Sequence, residues 1–407
     1  MSGTKILKKL AQLTGQNPDD VANLVNRDIL EPGQDEVSSF YSMATHSDNQ
    51  GKRSSPNNYI RATLADPAKY PLTVKLNTLV TRVLFDNATT PKLCGSSSTT
   101  PRAIGVEIME GASLYKADPK HVAGTKGPVS QILAKREVIV SGGAFNSPQI
   151  LKLSGIGPAA ELAKFKIPLV KDLPGVGENL GDNYEGSLLG LLTEPIEQPG
   201  LITLLFRTPS APTKKRNIYT WCASFSFEGF WPGFPTDYGP KQYECAMVHM
   251  GPKSQAGSVT LVSADPQDKP EINFRFFEHN GEQDLHELTE AANILRQSFA
   301  AAGSPQLPFN EMHPCPGGKD DKCTDAVQAE YIKTQAYSHH ATSTCAIGGD
   351  NDKMAVLDSK FRVRGVQGLR VVDASAFPVV PGAFPSCPTM MLGIKAAEDI
   401  IADAKKA

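Results

Sequence analysis

Apolar and polar positions fall into three blocks along the chain. In the first, residues 72–76 alternate, with Leu72, Val74 and Leu76 on one side. Residues 79–85 and 103–108 are further β-rich runs, so strands are predicted at all three. Residues 1–50 read as helix and loop, with a helix start at Pro18. A short helix is expected over 58–64. Residues 86–101 form a Ser/Thr-rich loop and 112–130 a surface excursion. Val138, Ile139 and Val140 then make a continuous apolar strand of the kind buried in a parallel sheet. It runs into Ser141, Gly142, Gly143 and Ala144, a turn with no bulky side chain. Ser147 followed by Pro148 predicts a helix N-terminus there, and Gly155 its stop. A strand, glycine turn and helix over 137–157 either let backbone amides approach a nucleotide or form a tight turn with no ligand.

The second block begins near residue 186, after a loop-rich linker at 158–185. The linker's Gly175, Gly177 and Gly181 miss the dinucleotide-fingerprint spacing, and no strand leads into them. β-rich runs at 188–192, 219–227, 245–250 and 258–263 alternate with loops and predict antiparallel strands. Residues 284–302 predict an amphipathic helix with Leu285, Leu288, Ala292, Leu295 and Phe299 on one face. Buried-strand and helix patterns return after about 355. The strand 369–372 ends in Asp373, and a helix from Pro388 presents Leu392, Ala396, Ile400 and Ile401 on one face.

Composition narrows the function classes. Among 407 residues, 41 Lys and Arg nearly balance 43 Asp and Glu, so neither nucleic acid nor an anionic membrane is an expected partner. No apolar run has membrane-span length, and residues 1–12 lack the apolar core of a signal peptide. The chain reads as a soluble protein whose compartment is left open. Seven scattered cysteines do not make a disulfide scaffold, although Cys315 and Cys323 flank a Pro-Gly-Gly loop and can bridge locally. His313 with Cys315 and Cys323 lacks a paired C-x-x-C, and no metal site is expected. Asn87 heads a lone glycosylation sequon.

Candidate chemistry concentrates between residues 337 and 400. His339 and His340 lie just beyond a helix expected to end near Thr334. They are either a surface pair or a general base for alcohol oxidation. Asp373 stands at the carboxyl end of a strand, where open α/β sheets bind ligands, and it also suits a plain turn. The helix N-terminus at Pro388 carries free amides and partial positive charge suited to an anion, or simply begins a core helix.

The order of these elements resembles the glucose–methanol–choline (GMC) oxidoreductases of fungal type. Residues 143–157 (Gly-Ala-Phe-Asn-Ser-Pro-Gln-Ile-Leu-Lys-Leu-Ser-Gly-Ile-Gly) match the family's second signature at every defined position. Residues 53–56, 172–180, 368–375, His340 with Thr344 and Cys345, and the last helix are similar to it as well. The resemblance implies an α/β (α+β) fold: an incomplete Rossmann-like FAD-binding domain and an antiparallel-sheet substrate domain. The implied division is an N-terminal segment at 1–55, FAD-binding domain at 56–185 and 355–407, and substrate-binding domain at 186–354. It implies FAD as cofactor, a small-molecule alcohol as substrate, oxygen or another electron acceptor, and a family often secreted. By resemblance His340 is the catalytic base, and His339 and Phe384 line the active site. Val80 matches the position that holds the adenine, and Ala144, Asp373 and Ala374 the turns near nucleotide and flavin. Thr389 and Met390 match positions over the pyrimidine edge of the flavin.

Two departures accompany the resemblance. The family's opening strand, G-x-G-x-x-G turn and helix has no counterpart in these residues, so a truncated form is expected. Phe384-Pro385 stands where the family has His-Pro or Asn-Pro, and phenylalanine neither donates nor accepts a proton. Asp182-Asn183 likewise replaces the usual Asp-His. A non-catalytic remnant, or a flavin-retaining lyase or cyclase, is the alternative expectation.

Overall fold

The computed structural model describes residues 2–86, 100–196, 202–227 and 237–406, with Gly229 and Gly233. The sequon at Asn87 lies outside them. Helix α1 (Ser2–Leu13) buries Ile6 and Leu10, and is followed by α2 (Val21–Leu24) and strand β1 (Ser39–Ser42). Helix α3 (Pro56–Leu64) is closed at its start by a reciprocal Ser55–Asn58 capping box. Residues 72–76, expected as a strand, join no sheet. Leu72, Val74 and Leu76 are all exposed, so the alternation has no sheet to face.

Strands β2 (Thr78–Asp86), β3 (Arg102–Glu110) and β4 (Val129–Leu133) form an antiparallel meander. Thus the expected excursion at 112–130 ends in a strand. Next come β5 (Val138–Val140) and helix α4 (Gly143–Leu153). The residues read as a linker contain helix α5 (Ala159–Lys164) between the short parallel strands β6 (Ile156–Gly157) and β7 (Lys171–Asp172). Gly175 is needed there for packing, since a Cβ would stand 1.9 Å from the Met354 carbonyl oxygen.

Helix α4 starts four residues before Ser147, with Pro148 inside it. Pro148 has no N–H to donate to the Ala144 carbonyl, so the helix lacks one internal bond. The Thr344 hydroxyl donates to that carbonyl instead, at 2.6 Å. This long-range donor is why a helix runs through a sequence that looks like an N-terminus.

The middle of the chain supplies β8 (Tyr184–Leu191), β9 (Ile202–Phe206), β10 (Ile218–Ala223) and β11 (Gln242–His249). The small hairpin β12 (Ser258–Thr260) and β13 (Glu271–Asn273), helix α6 (Glu282–Phe299), β14 (Asn310–His313) and α7 (Asp325–Gln335) follow. A six-stranded antiparallel sheet runs β1-β9-β10-β11-β8-β14. Side chains alternate across it. Phe40, Leu204, Ile218 and Met247 face a core with Ile6 and Leu10 of α1 and Leu288, Leu295 and Phe299 of α6. Their neighbours Tyr41, Leu205, Tyr219 and Val248 face the other way, toward Phe384. That second face fronts the candidate site.

Two disulfides close this block. Cys315–Cys323 is the local bridge the spacing allows, which removes those sulfurs from any metal. Cys222–Cys245 joins directly opposed residues of β10 and β11 and was not foreseen. Finally β15 (Leu369–Val371) pairs parallel with β5, and α8 (Ser386–Ala404) ends the fold. That sheet has two strands, so Ile139 of β5 is 44 % exposed rather than buried. On α8 only Ala396 is fully buried, and Ile401 is exposed, so the expected apolar face is covered in part. No helix among the described residues is long and apolar enough to cross a membrane.

Candidate active site

Residues 337–347 thread between the two halves of the molecule and organise the site. On one side they run antiparallel to the start of β8, with Glu185 N–H donating to the Tyr337 carbonyl at 2.9 Å and Thr342 N–H to Gly181 at 2.9 Å. On the other side Ser343, Cys345 and Ile347 donate their N–H groups to the carbonyls of Ala374, Ser375 and Ala376, at 3.2, 2.8 and 3.0 Å. The backbone thereby fixes His340 between the antiparallel sheet and the turn after β15.

Asp373 ties that turn to α4. Its carboxylate accepts from Gly143 N–H at 3.0 Å, from the Ser147 hydroxyl, and from the N–H and hydroxyl of Ser375. All of its strong acceptor capacity is spent within the protein, so Asp373 shapes the turn rather than offering a free carboxylate. The serine read as a helix cap is thus the partner of the strand-end acid. Ala144 lies in the first turn of α4, buried, beside Gly143 at φ 81°. A Cβ on Gly143 would have nothing within 4 Å, so open space stands against this backbone.

The histidine pair has an acidic neighbour that the sequence reading passed over. His340 Nδ1 lies 3.1 Å and His339 Nδ1 3.2 Å from the same atom, Glu185 Oε1. Glu185 and His340 are 3 % and 5 % exposed, whereas His339 is half-exposed. Asp182 flanks them and accepts from His340 N–H at 2.8 Å and from the Ser338 hydroxyl. Burial pushes the Asp182 carboxyl up to about 7. Burial and the Asp182 charge push Glu185 up to about 8. Burial and the neighbouring His339 lower His340 to about 3, so its ring is neutral at physiological pH. Burial also lowers His339. Acids at 182 and 185, framing the start of an otherwise apolar strand, were the available signal.

These shifts set a pH dependence. An acid whose pKa is raised by folding stabilises the fold below its unfolded pKa and loses that contribution as pH rises through the folded value. For Glu185 the window runs from 4.5 to about 8. The depressed His340 acts oppositely, but only between about 3 and 6.5. Between pH 6.5 and 8 the acids therefore act alone, and stability falls with rising pH by up to about 1.4 kcal/mol per unit for each proton released. Glu185→Gln is expected to flatten this slope in chelator-treated protein. Urea-unfolding midpoints across that range provide the check, and parallel slopes for both proteins would refute it.

Phe384 closes the site. Its ring lies 4.9 Å from His340, 4.9 Å from Tyr219 and 6.2 Å from Trp221 between centroids. Trp221 stacks on Phe225, and Tyr337 meets Phe227 edge to face. An aromatic wall from the second face of the sheet thus stands beside His340. A cavity of about 740 Å³ reaches Ala383, the residue before Phe384, and is lined elsewhere by Arg216, His249, Lys253, Asp284 and Glu287 among others.

The remaining candidates are placed differently. α8 begins at Ser386, not Pro388, and Thr389 N–H and its hydroxyl both donate to the Pro385 carbonyl, at 2.9 and 2.7 Å. Thr389 and Met390 are partly exposed, one turn past Phe384. Val80 belongs to the meander, beside a bulge at Thr81 where the register steps from Val80–Ile108 to Arg82–Glu107. The meander is joined to α4 by Val83 N–H donating to the Ser154 hydroxyl at 2.8 Å. His340, Phe384, Ala144, Asp373 and Ala374 are therefore linked through one segment and its contacts, with Val80 and Thr389 at the periphery.

Comparison with known proteins gives a consistent answer. Two family profiles, both described as GMC oxidoreductase, match residues 22–185 and 252–393. Mitochondrial choline dehydrogenase of Mus musculus is 32 % identical over 399 residues, covering 90 % of this chain and 59 % of that protein. An oxygen-dependent choline dehydrogenase of Photobacterium profundum is 31 % identical, covering 86 % and 59 %. The chain thus spans less than two thirds of these relatives' length. A formate oxidase structure superposes with a TM-score of 0.74 at 20 % identity, covering all of this chain and 71 % of that one. A fungal aryl-alcohol oxidase gives 0.72 at 21 %, covering 99 % and 71 %. At such identities the superpositions speak for the fold.

Proposed function

The chain belongs to the GMC oxidoreductase family, whose members are FAD-binding flavoproteins, and from that premise we propose that it oxidises a small primary alcohol with His340 as base. The observation that carries this is the segment 337–347. It holds a buried neutral imidazole while stitching together the Asp373–Ala374 turn, the first turn of α4 and the aromatic wall.

The residues present fit the flavin-facing half of the cofactor. The open backbone at Gly143 and Ala144, the Asp373–Ala374 turn and the start of α8 with Thr389 and Met390 would hold it, with Val80 toward the adenine. FAD supplies, when bound, the acceptor for the hydride that leaves the alcohol carbon. The protein's task is the proton. Ionised Glu185, with Oε1 3.1 Å from His340 Nδ1, favours the ring proton on Nδ1 by its charge and leaves Nε2 as the ring's acceptor for the alcohol proton. Protonated Glu185 no longer draws the ring proton to Nδ1 and lets it sit on Nε2. Base function is therefore expected to rise with pH as Glu185 loses its proton. Phe384, Trp221 and Tyr219 exclude water and favour a flat apolar substrate. Oxygen or another acceptor would take up the electrons from the bound cofactor. Anaerobic bleaching of oxidised flavin by primary alcohols, faster for benzylic than for aliphatic ones, tests the reading.

Phe384 favours a second reading. It offers no polar group opposite His340, as suits a flavin-retaining lyase or cyclase, or a non-catalytic remnant. Alcohol turnover with an artificial electron acceptor rules against both.

A further inference from the structure

We infer that Glu185, His339 and His340 form a divalent transition-metal site of the zinc class, and that the metal and the base function of His340 exclude one another. Three donor atoms, Glu185 Oε1 and a ring nitrogen of each histidine, lie within 4.8 Å of one another. The two Nδ1 atoms are 3.1 and 3.2 Å from Oε1. Tetrahedral zinc, with bonds of about 2.0–2.1 Å, sets its ligands about 3.3–3.4 Å apart, so both separations from Oε1 are within a few tenths of an ångström of that spacing, and the two histidine nitrogens lie within 4.8 Å of each other.

Two of the donor atoms lack a hydrogen bond. Glu185 Oε1 and His340 Nδ1 are buried without a partner despite facing each other at 3.1 Å. Buried polar atoms left this way cost free energy, and a metal ion satisfies both lone pairs at once. Two imidazoles and one carboxylate select zinc, copper or nickel over magnesium or calcium, which prefer oxygen-only sets. The ligands are held by the antiparallel bridges Glu185–Tyr337 and Gly181–Thr342. Asp182, fixed by His340 N–H and Ser338, adds an acidic neighbour that favours a cation. The half-exposed His339 is the route in from solvent. The fourth position is left to water.

The consequence for the base is direct. Metal on Nδ1 uses that lone pair and leaves the ring proton on Nε2, so the imidazole no longer accepts a proton. Zinc is therefore an inhibitor of this site rather than a cofactor. The site was hidden in the sequence because Glu185 stands far from the histidine pair along the chain.

Calorimetric titration of Zn²⁺ into the chelator-treated 407-residue chain tests the inference without FAD. One saturable site is expected, weakened about tenfold or more in His339→Ala and in Glu185→Gln. His339 is half-exposed, so its alanine variant keeps the fold even if the buried Glu185 variant does not. Co²⁺ in place of Zn²⁺ is expected to give visible bands of tetrahedral intensity without thiolate charge transfer. No saturable site, a site indifferent to His339→Ala, or a thiolate band pointing to the exposed Cys387 would each overturn it.

Discussion

Replacing His340 by alanine is expected to slow alcohol-dependent flavin reduction by about 10²–10⁴-fold, the usual contribution of a positioned general base. The ring is 5 % exposed and its backbone is fixed by Asp182, so the imidazole is pre-oriented rather than searching for its position. Alanine keeps the Asp182 and Ala374 backbone contacts, because these use main-chain atoms of 340 and 343. Folding should survive and the chemical step should not. Stopped-flow reduction of the FAD-loaded protein measures this directly. A variant reduced at the wild-type rate would remove His340 from the mechanism. A variant rescued by added imidazole would strengthen the assignment.

The second large effect is on stability. Glu161→Ala is expected to destabilise the fold by about 3–5 kcal/mol, because it leaves a buried ammonium without its counter-charge. Lys152 of α4 is fully buried, with Nζ 2.7 Å from Glu161 and 2.7 Å from the Val259 carbonyl of β12. Glu161 also accepts from Leu261 N–H at 2.7 Å. This one lysine fastens the glycine-turn helix to the β12–β13 hairpin, next to Gly177, where a Cβ would come within 2.6 Å of Nζ. Lys152→Met combined with Glu161→Gln should recover much of the loss, since it removes the buried charge together with its partner. Urea-unfolding midpoints decide the matter, and a Glu161→Ala shift worth less than about 1 kcal/mol would contradict it.

Local chemistry was readable along the chain where its partners are near in sequence. The strand at 138–140, the glycine turn and the stop at Gly155 follow from residue types alone, and so do the α6 heptad-like face and the acid ending β15. Misreadings arose where a distant residue decides. Ser147-Pro148 looks like a helix start, yet Thr344 supplies the donor that Pro148 lacks and Asp373 takes up Ser147. Cys222 and Cys245 become partners only through the register of β10 and β11. Glu185 joins the histidines only because residues 181–185 run beside 337–342. Trp221 and Tyr219 reach Phe384 because the sheet turns its second face that way. Position in the chain cannot report such cross-element meetings, whereas it does report capping, periodicity and turn chemistry.

The chain's behaviour with flavin and alcohol together is the most direct test of alcohol oxidation at His340. FAD is added to the purified protein, excess flavin is removed, and the visible spectrum is followed as benzyl alcohol is introduced without oxygen. One bound flavin per chain is predicted, with loss of its oxidised band on alcohol addition and an apparent pKa near that of Glu185, about 8. A chain that retains no FAD, or whose bound flavin stays oxidised with benzylic and aliphatic alcohols alike, contradicts it.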